Sequence, residues 1–213
     1  MLAVWLSAFL LLASPVDVAL DPGHSVADVG AAGGGFREYT LTLDLAQRAR
    51  RRLEDAGLSV RLTREDDQPL TPLLQPGDTD DIRAEQEARI AAGMPARVYV
   101  SLHFNGGPAA LRGTETYYNS DRDADDWLLA DALQRHVVAS LGSVDRGVRS
   151  DLLAGKPYGH FFSLRGPVPS ALIEGLFLSN PSDAAILRDD GALDTLADGV
   201  TQGILEYLTA FGD

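Results

Sequence analysis

The chain has 213 residues, a formal net charge of −13 and no cysteine. This length is sufficient for one sizeable domain, and the hydrophobic fraction of 45% is ordinary for a globular protein. The negative charge disfavours nucleic acid or an anionic membrane surface as a partner. The lack of cysteine excludes disulfides and zinc sites built from thiolates.

The N-terminus carries an apolar run over Leu2–Ala13. It is too short to span a bilayer, which requires about 20 apolar residues, but it has the length of a signal-peptide core. No Lys or Arg precedes the run and Pro15 follows it closely, so the alternative is that it packs as the first hydrophobic element of the fold. We favour export, which places the protein outside the cytoplasm, in the periplasm, in the cell wall or secreted.

Cleavage would have to fall before Val16, because the sequence from this residue reads as a core strand. We therefore divide the chain into an apolar segment or signal peptide over residues 1–15 and one domain over residues 16–213. We expect no stable membrane span, and we expect a monomer.

Predicted strands and helices alternate along the chain. The first half should contain a strand over Val16–Leu20, a helix over Glu38–Ala56, a strand over Leu58–Thr63, an exposed loop over Gln68–Asp81, a helix over Ile82–Ala92 and a buried strand over Val98–Leu102. The second half should contain a strand over Gly113–Tyr118, a helix over Asp123–Leu141, an irregular stretch over Ser143–Leu164 with a short strand near Phe161, a last strand beginning at Ala171–Ile173, a helix capped by Asn180 and a helix over Leu193–Phe211.

This alternation predicts a single α/β domain with a mostly parallel central sheet and helices on both faces. In the helix over Asp123–Leu141, the predicted core contacts are Trp127, Leu133, Val137 and Leu141. Functional sites in such sheets gather at the carboxyl ends of the strands. Both His24 and His103 follow predicted strand ends, so the topology can bring them together.

Four residues are the strongest candidates for a catalytic site. Two imidazoles and a carboxylate, here His24, His103 and Glu38, are a common ligand set for a catalytic zinc with one open coordination position. A fourth carboxylate that does not bind the metal can move protons, and Glu174 is the candidate. The residue types and their placement therefore indicate a zinc hydrolase.

Each candidate also has an ordinary structural interpretation. His24 could be a loop histidine, Glu38 a favourable charge at a helix start and His103 a satisfied polar residue. Glu174 is harder to explain in this way, because it lies within an apolar strand where an unpaired carboxylate is costly.

The neighbouring polar residues are assigned lesser roles. Asp21 is a candidate to orient His24 or the loop that carries it, and Arg64 is interpreted as an ion-pair residue. His136 is interpreted as a surface or boundary residue and His160 as a possible cleft residue. The aromatic residues Phe104, Tyr117 and Tyr118 are expected in the core or in a cleft wall.

Several segments, in their order along the chain, resemble the zinc-dependent N-acetylmuramoyl-L-alanine amidases of the amidase-3 type. The matching segments are Leu20-Asp21-Pro22-Gly23-His24, Asp28-Val29-Gly30-Ala31, Glu38 with Leu41–Ala46, Gly57–Arg64, Val100–Asn105, Gly113–Tyr118, Arg146-Gly147-Val148 and Pro169–Asn180. One such segment would be a weak signal, whereas the ordered set is specific and extends over about Val16–Phe211. The sequence departs from the family after the first histidine, where Ser25-Val26 replace the usual pair of glycines.

The resemblance implies a phosphorylase/hydrolase-like fold and a Zn²⁺ ion held by His24, Glu38 and His103. It implies that Glu174 is the catalytic residue. The implied substrate is peptidoglycan, cleaved at the amide between the lactyl group of N-acetylmuramic acid and L-alanine of the stem peptide. Two alternatives stay open: a non-catalytic or regulatory peptidoglycan-binding protein on the same scaffold, and an enzyme that cleaves a different amide.

Overall fold

The computed structural model describes residues 14–72, 78–122 and 124–212. The apolar run over Leu2–Ala13 lies outside the described residues, so its export or packing stays a prediction. None of the helices within the described ranges is long and apolar enough to cross a membrane.

The strands are β1 (Val16–Pro22), β2 (Ala32–Gly33), β3 (Phe36–Arg37), β4 (Val60–Leu62), β5 (Ala96–Asn105), β6 (Thr114–Tyr118), β7 (Asp145–Ser150) and β8 (Ser170–Phe177). The α-helices are α1 (Glu38–Asp55), α2 (Thr79–Gly93), α3 (Ala124–Leu141), α4 (Pro181–Leu187) and α5 (Ala192–Phe211). Two short 3₁₀ helices cover Asp151–Ala154 and Phe162–Leu164.

The described part of the chain forms a six-stranded sheet in the order β4-β1-β5-β8-β6-β7 and a small hairpin of β2 and β3. Strands β4, β1, β5 and β8 are parallel. Strand β6 runs antiparallel to β8, and β7 is parallel to β6. The prediction of an α/β domain with a mostly parallel sheet is confirmed.

Helices cover both faces of this sheet. Helices α1, α3 and α5 pack together over one face, and the apolar residues of β1, β5 and β8 complete their core. Glycines let α5 approach α3 closely, because a Cβ added at Gly199 or Gly203 would lie 2.8 Å from the Cα atom of Val137 or Leu133. Helix α2 and the 3₁₀ helix at Phe162–Leu164 pack together, and the end of α2 covers Ala19 and Tyr99.

The structure differs from the sequence predictions mainly between β6 and β8. The stretch predicted as irregular contains β7, and Phe161 lies just before a 3₁₀ helix rather than in a strand. Trp127 was expected in the core, but it is 43% exposed, whereas Leu133 and Val137 are fully buried. The buried line of α3 follows Leu129, Leu133 and Val137, and Trp127 lies off this line by roughly a quarter turn of an α-helix or more.

A buried ion-pair network fixes the loop that follows β1. Arg89 of α2 is 1% exposed, and it pairs with Asp21 at 3.3 Å and with Glu85 at 3.0 Å. The same guanidinium donates to the carbonyl oxygens of Pro22 and His24, at 2.5 Å each. Glu85 in turn accepts hydrogen bonds from the backbone and hydroxyl of Thr71. One arginine therefore joins α2 to the end of β1.

Replacing Arg89 should strongly destabilise the fold. In Arg89→Met, the carboxylates of Asp21 and Glu85 lose their buried cation, and removing one partner of a buried pair costs about 3–5 kcal/mol. We expect a fall of that size in the free energy of unfolding, measured by urea denaturation. The matched control is Arg83→Met on the same helix, since Arg83 is exposed and pairs with Asp80 at the surface. Equal stabilities of the two variants would contradict the role of the network.

Candidate metal centre

His24 stands in a tightly held loop directly after β1. Its φ of 63° is in the left-handed region, which is unusual for a residue other than glycine. The Arg89 contact to its carbonyl oxygen and the bridge between Ser25 and Asp28 support this conformation. The Nδ1 atom of His24 lies 2.8 Å from the Asp28 carboxylate, and its Nε2 atom lies 3.3 Å from Oε1 of Glu38.

Glu38 is the first residue of α1 and is 3% exposed. Its Oε2 atom accepts a 2.6 Å hydrogen bond from the backbone N–H of Ala31, next to the β2–β3 hairpin. Its Oε1 atom accepts a 3.0 Å hydrogen bond from the backbone N–H of Phe104 and lies 2.9 Å from Nδ1 of His103. Backbone groups thus fix the carboxylate between the two histidines.

His103 lies in β5, one strand position beyond the predicted strand end. Its ring packs directly over Gly23, where an added Cβ would lie 2.4–2.7 Å from the ring atoms. The rings of His24 and His103 meet edge to face, with centroids 4.9 Å apart. The Nε2 atom of His103 is buried and has no hydrogen-bond partner among the described residues.

This donor set fits a metal ion. One nitrogen or oxygen atom from each of His24, Glu38 and His103 lies within 4.8 Å of the others. Donors about 2.0–2.2 Å from a tetrahedral zinc are separated by about 3.3–3.6 Å, close to the 3.3 Å between His24 and Glu38. Two nitrogens and one carboxylate oxygen are the donors that zinc prefers.

His24 and Glu38 shift each other's pKa in opposite directions. Burial lowers the pKa of His24, but the negative charge of Glu38 and the hydrogen bond to Asp28 outweigh this effect and raise it to about 10. Burial raises the pKa of Glu38, and the two imidazoles more than reverse this effect and hold it well below its usual range. The protein without metal therefore keeps a proton on His24 that a cation would have to displace.

Glu174 lies beside these residues in the sheet. It is the register partner of His103 in β5 and of Glu115 in β6. Its Oε2 atom is buried without a hydrogen-bond partner in the described ranges. Burial, together with the negative charge of Glu38, raises the pKa of Glu174 well above its usual value. A buried carboxylate with an unsatisfied oxygen is suited to exchange protons with a bound molecule.

A cleft of about 370 Å³ opens over these side chains. Its lining comprises His24, Asp28, Ile82, Gln86, His103, Asn105, Tyr117, Ala154, Lys156, Tyr158, Phe161, Phe162, Ser163, Leu172 and Glu174. The segment between β7 and β8 supplies one aromatic wall, which includes Lys156, the only lysine in the sequence. Tyr117 lies in a cleft wall and Phe104 in the core, as predicted.

The fold gathers the four candidate residues but changes the roles of their neighbours. The carboxylate of Asp21 accepts hydrogen bonds from the hydroxyls of Thr63 and Ser101 and pairs with Arg89. Asp21 therefore does not contact His24 directly and acts on the loop that carries His24 through Arg89. The interpretation of Arg64 as an ion-pair residue is wrong. This buried guanidinium donates to backbone carbonyl oxygens and to a threonine hydroxyl.

The other two histidines lie outside the centre. His136 pairs with Glu206 and is partly exposed at the surface, as predicted. His160 is held by Asp151 and Asp121 and is not among the residues that line the cleft.

Sequence reasoning missed two contributors to the site. Asp28 bonds directly to His24, and the spacing of four residues between a histidine and an acid could have indicated it. Arg89 and its partner Glu85 are also four residues apart, which is the usual pattern of an exposed helical pair. Nothing in that local pattern signals that both residues are buried.

The sequence model described as N-acetylmuramoyl-L-alanine amidase (Amidase_3) matches residues 18–206. The chain belongs to the N-acetylmuramoyl-L-alanine amidase family. It is 32% identical to the germination-specific N-acetylmuramoyl-L-alanine amidase of Bacillus subtilis, over 92% of this chain and 81% of that protein.

Solved amidase structures share the fold. The catalytic domain of CwlV from Bacillus (Paenibacillus) polymyxa is 33% identical, with a TM-score of 0.73, over 90% of this chain and 97% of that domain. An N-acetylmuramoyl-L-alanine amidase from Clostridium difficile 630 is 26% identical, with a TM-score of 0.77, over 94% of this chain and 100% of that structure. The sheet and the helices of this chain thus form the fold of these amidase structures.

Enlarging Gly23 should disrupt the donor set without disturbing the core. In Gly23→Ala, the new methyl group would overlap the ring of His103, so the ring must leave its present position beside Glu38. We expect the affinity for zinc to fall at least about tenfold, which corresponds to about 1.4 kcal/mol, measured by competition with a chromophoric chelator. Gly191→Ala is the control, because a Cβ there meets only the Asp189 carboxylate, at 3.3 Å. Unchanged zinc affinity in Gly23→Ala would contradict the assignment of His103.

Proposed function

We propose that this amidase cleaves the bond between the lactyl group of N-acetylmuramic acid and L-alanine of the stem peptide, with zinc held by His24, Glu38 and His103. The observation that supports this proposal most directly is the convergence of two imidazoles on one carboxylate oxygen beside a buried, unsatisfied carboxylate. Family membership supports the choice of substrate and bond.

Zinc, when bound, supplies Lewis acidity that polarises a carbonyl group and makes water acidic near neutral pH. The residues of the chain prepare the donors. Asp28 accepts a hydrogen bond from Nδ1 of His24 and so leaves Nε2, which lies 3.3 Å from Oε1 of Glu38, as the nitrogen that would bind the metal. The backbone N–H groups of Ala31 and Phe104 hold the Glu38 carboxylate in place before any ligand arrives.

Glu174 is assigned the proton transfers. It takes a proton from the attacking water as the carbon–oxygen bond forms, and it gives this proton to the leaving nitrogen as the carbon–nitrogen bond breaks. The products are a free lactyl carboxyl group and a stem peptide with a free amino group on L-alanine. Burial and the negative charge of Glu38 raise the pKa of Glu174, and a higher pKa makes its ionised carboxylate a stronger base towards the attacking water.

The expected setting of this activity is outside the cytoplasm, since the peptidoglycan substrate lies there and relatives include cell wall amidases. The expected monomer stays a prediction.

Glu174→Gln should abolish turnover while zinc binding is retained. Glutamine keeps the shape of the side chain but cannot accept a proton, and a positioned general acid–base contributes about 10²–10⁴-fold to the rate. Mass spectrometry of muramyl-peptide digests should show free stem peptide only with the zinc-loaded wild type. Glu87→Gln, at an exposed position on α2, is the control and should behave as wild type. Zinc-bound wild type without product would favour a binding or regulatory role instead.

Zinc binding should release protons near neutral pH. The pKa of His24 in the metal-free protein is about 10, so below this pH the imidazole carries a proton that must leave before Nε2 can bind a metal. The affinity for zinc should rise with pH up to about 10. Calorimetry in buffers of different ionisation enthalpy should show release of about one proton or more per zinc. A binding heat that does not depend on the buffer would contradict this prediction.

A further inference from the structure

A second buried carboxylate, Glu115 of β6, lies next to Glu174 in the sheet. It is 3% exposed and is not among the residues that line the cleft. Its Oε1 atom accepts a 2.8 Å hydrogen bond from Nδ2 of Asn105 and a 2.9 Å hydrogen bond from the hydroxyl of Tyr117. Both donors line the cleft, so Glu115 holds two cleft side chains from behind.

Two arginines keep Glu115 in its charged form. Its Oε2 atom accepts a 2.6 Å hydrogen bond from Nε of Arg146, and Nε of Arg149 lies 3.5 Å away. The guanidinium of Arg146 also stands over the ring of Phe177, with its carbon 5.0 Å from the ring centroid. Burial raises the pKa of Glu115, but these hydrogen bonds reverse the effect and lower it. An ionised carboxylate can only accept hydrogen bonds.

This restriction determines which atoms Asn105 and Tyr117 offer to the cleft. Asn105 must turn its NH₂ group towards Glu115, so its carbonyl oxygen Oδ1 is left over, and that atom has no hydrogen-bond partner in the part of the chain that is described. Tyr117 uses its hydroxyl hydrogen on Glu115, so only the lone pairs of its oxygen remain available. Both side chains therefore act as acceptors towards a bound molecule.

We propose that Asn105 Oδ1 and Tyr117 Oη form an acceptor pair that holds the backbone N–H of the second residue of the stem peptide. Glu115 is the positioning residue that makes both side chains acceptors. This inference rests on the proposed amidase function, because that function places the scissile amide at Glu174. Glu115 is the register partner of Glu174, so the acceptor pair lies beside the residue that gives its proton to the leaving nitrogen. The next donor along the peptide is the N–H of the second residue.

The chemistry of the pair favours a peptide over a sugar. A backbone N–H only donates, whereas a sugar hydroxyl both donates and accepts. An acceptor-only pair gains most from a donor-only partner, and a substrate that covers the pair without supplying that donor leaves the two acceptors unpaired, which is costly.

The test compares two substrates that differ in one atom. The first is N-acetylmuramic acid joined to a dipeptide that begins with L-alanine. The second has an ester oxygen in place of the N–H between the two amino acids and keeps the scissile amide unchanged. Wild type should cleave the ester analogue with a kcat/KM about tenfold lower, because one hydrogen bond is lost. Liberation of the lactyl carboxyl group is followed in both cases.

Variants of the pair should remove this discrimination. In Tyr117→Phe, the ratio of kcat/KM between the two substrates should fall to about threefold or less. Tyr158→Phe is the matched control, since it removes a hydroxyl from the facing cleft wall and should keep the tenfold ratio. In Glu115→Gln, the side-chain oxygen stays on Arg146 and the new NH₂ group faces Asn105 and Tyr117. Both side chains then become donors towards the cleft, and the ratio should fall to about one while zinc content stays unchanged.

Each outcome is decisive for the acceptor pair. Equal cleavage of both substrates by wild type would overturn it, and so would a tenfold ratio that persists in Tyr117→Phe. A merely structural role of Glu115 would lower activity on both substrates equally and leave the ratio intact. Absence of cleavage of the unmodified substrate by zinc-loaded wild type would overturn the proposed function itself, and the acceptor pair with it.

Discussion

The carboxylate of Glu38 is the contact on which the geometry of the cleft depends. It connects three segments that are distant in sequence: the loop with His24, the hairpin before α1, and β5 with His103. Its place at the first residue of a helix favours a negative charge, because the helix dipole is positive there. Two backbone N–H groups fix its orientation, so folding itself restricts the donors before any metal binds, and little ordering is left for the binding step.

The topology of the sheet explains why charged residues collect beside Glu38. Strands β1, β5 and β8 are parallel and present their carboxyl ends at one edge, where α/β proteins bind ligands. His103 and Glu174 are register partners across β5 and β8. Strand β6 reverses direction and adds Glu115 to the same row. Arg146, Asn105 and Tyr117 compensate the charge of Glu115, and Glu38 lies beside His103, whereas Glu174 keeps one buried oxygen without a partner among the described residues.

The sequence predicts elements well where the hydrophobic pattern is strong. Strand β8 is apolar over most of its length, and β1 and α1 show clear periodicity, so their positions follow from hydrophobic pattern alone. Strand β7, with the sequence Asp145–Ser150, is polar and lies at the sheet edge with one neighbour. Such a strand has no core-facing alternation to detect. The burial of Trp127 was wrongly predicted for a different reason. An apolar residue in a helix does not by itself show which face of the helix will pack against the core.

In the site, too, local sequence patterns could be recognised, whereas contacts between distant elements could not. The four candidate residues stand in short segments whose types and order identify a family, and the fold brings them together. Arg89 could not be found in this way, because a Glu–Arg pair four residues apart on a helix usually lies in solvent and only the tertiary structure encloses it. The sequence could not show either that Asn105 and Tyr117 act as acceptors, since this depends on the contacts of Glu115 with both side chains and with Arg146.

Lys156 gives the cleft a property that is useful to an experimenter. It is the only lysine of the sequence, against seventeen arginines, and it lies in the wall of the cleft between Ala154 and Tyr158. An amine-reactive dye therefore has one side-chain target, and the arginines of the surface remain untouched because guanidinium groups stay protonated. A fluorophore attached there would sit at the mouth of the cleft and would report on its occupancy by changes in emission, without the need to engineer a cysteine.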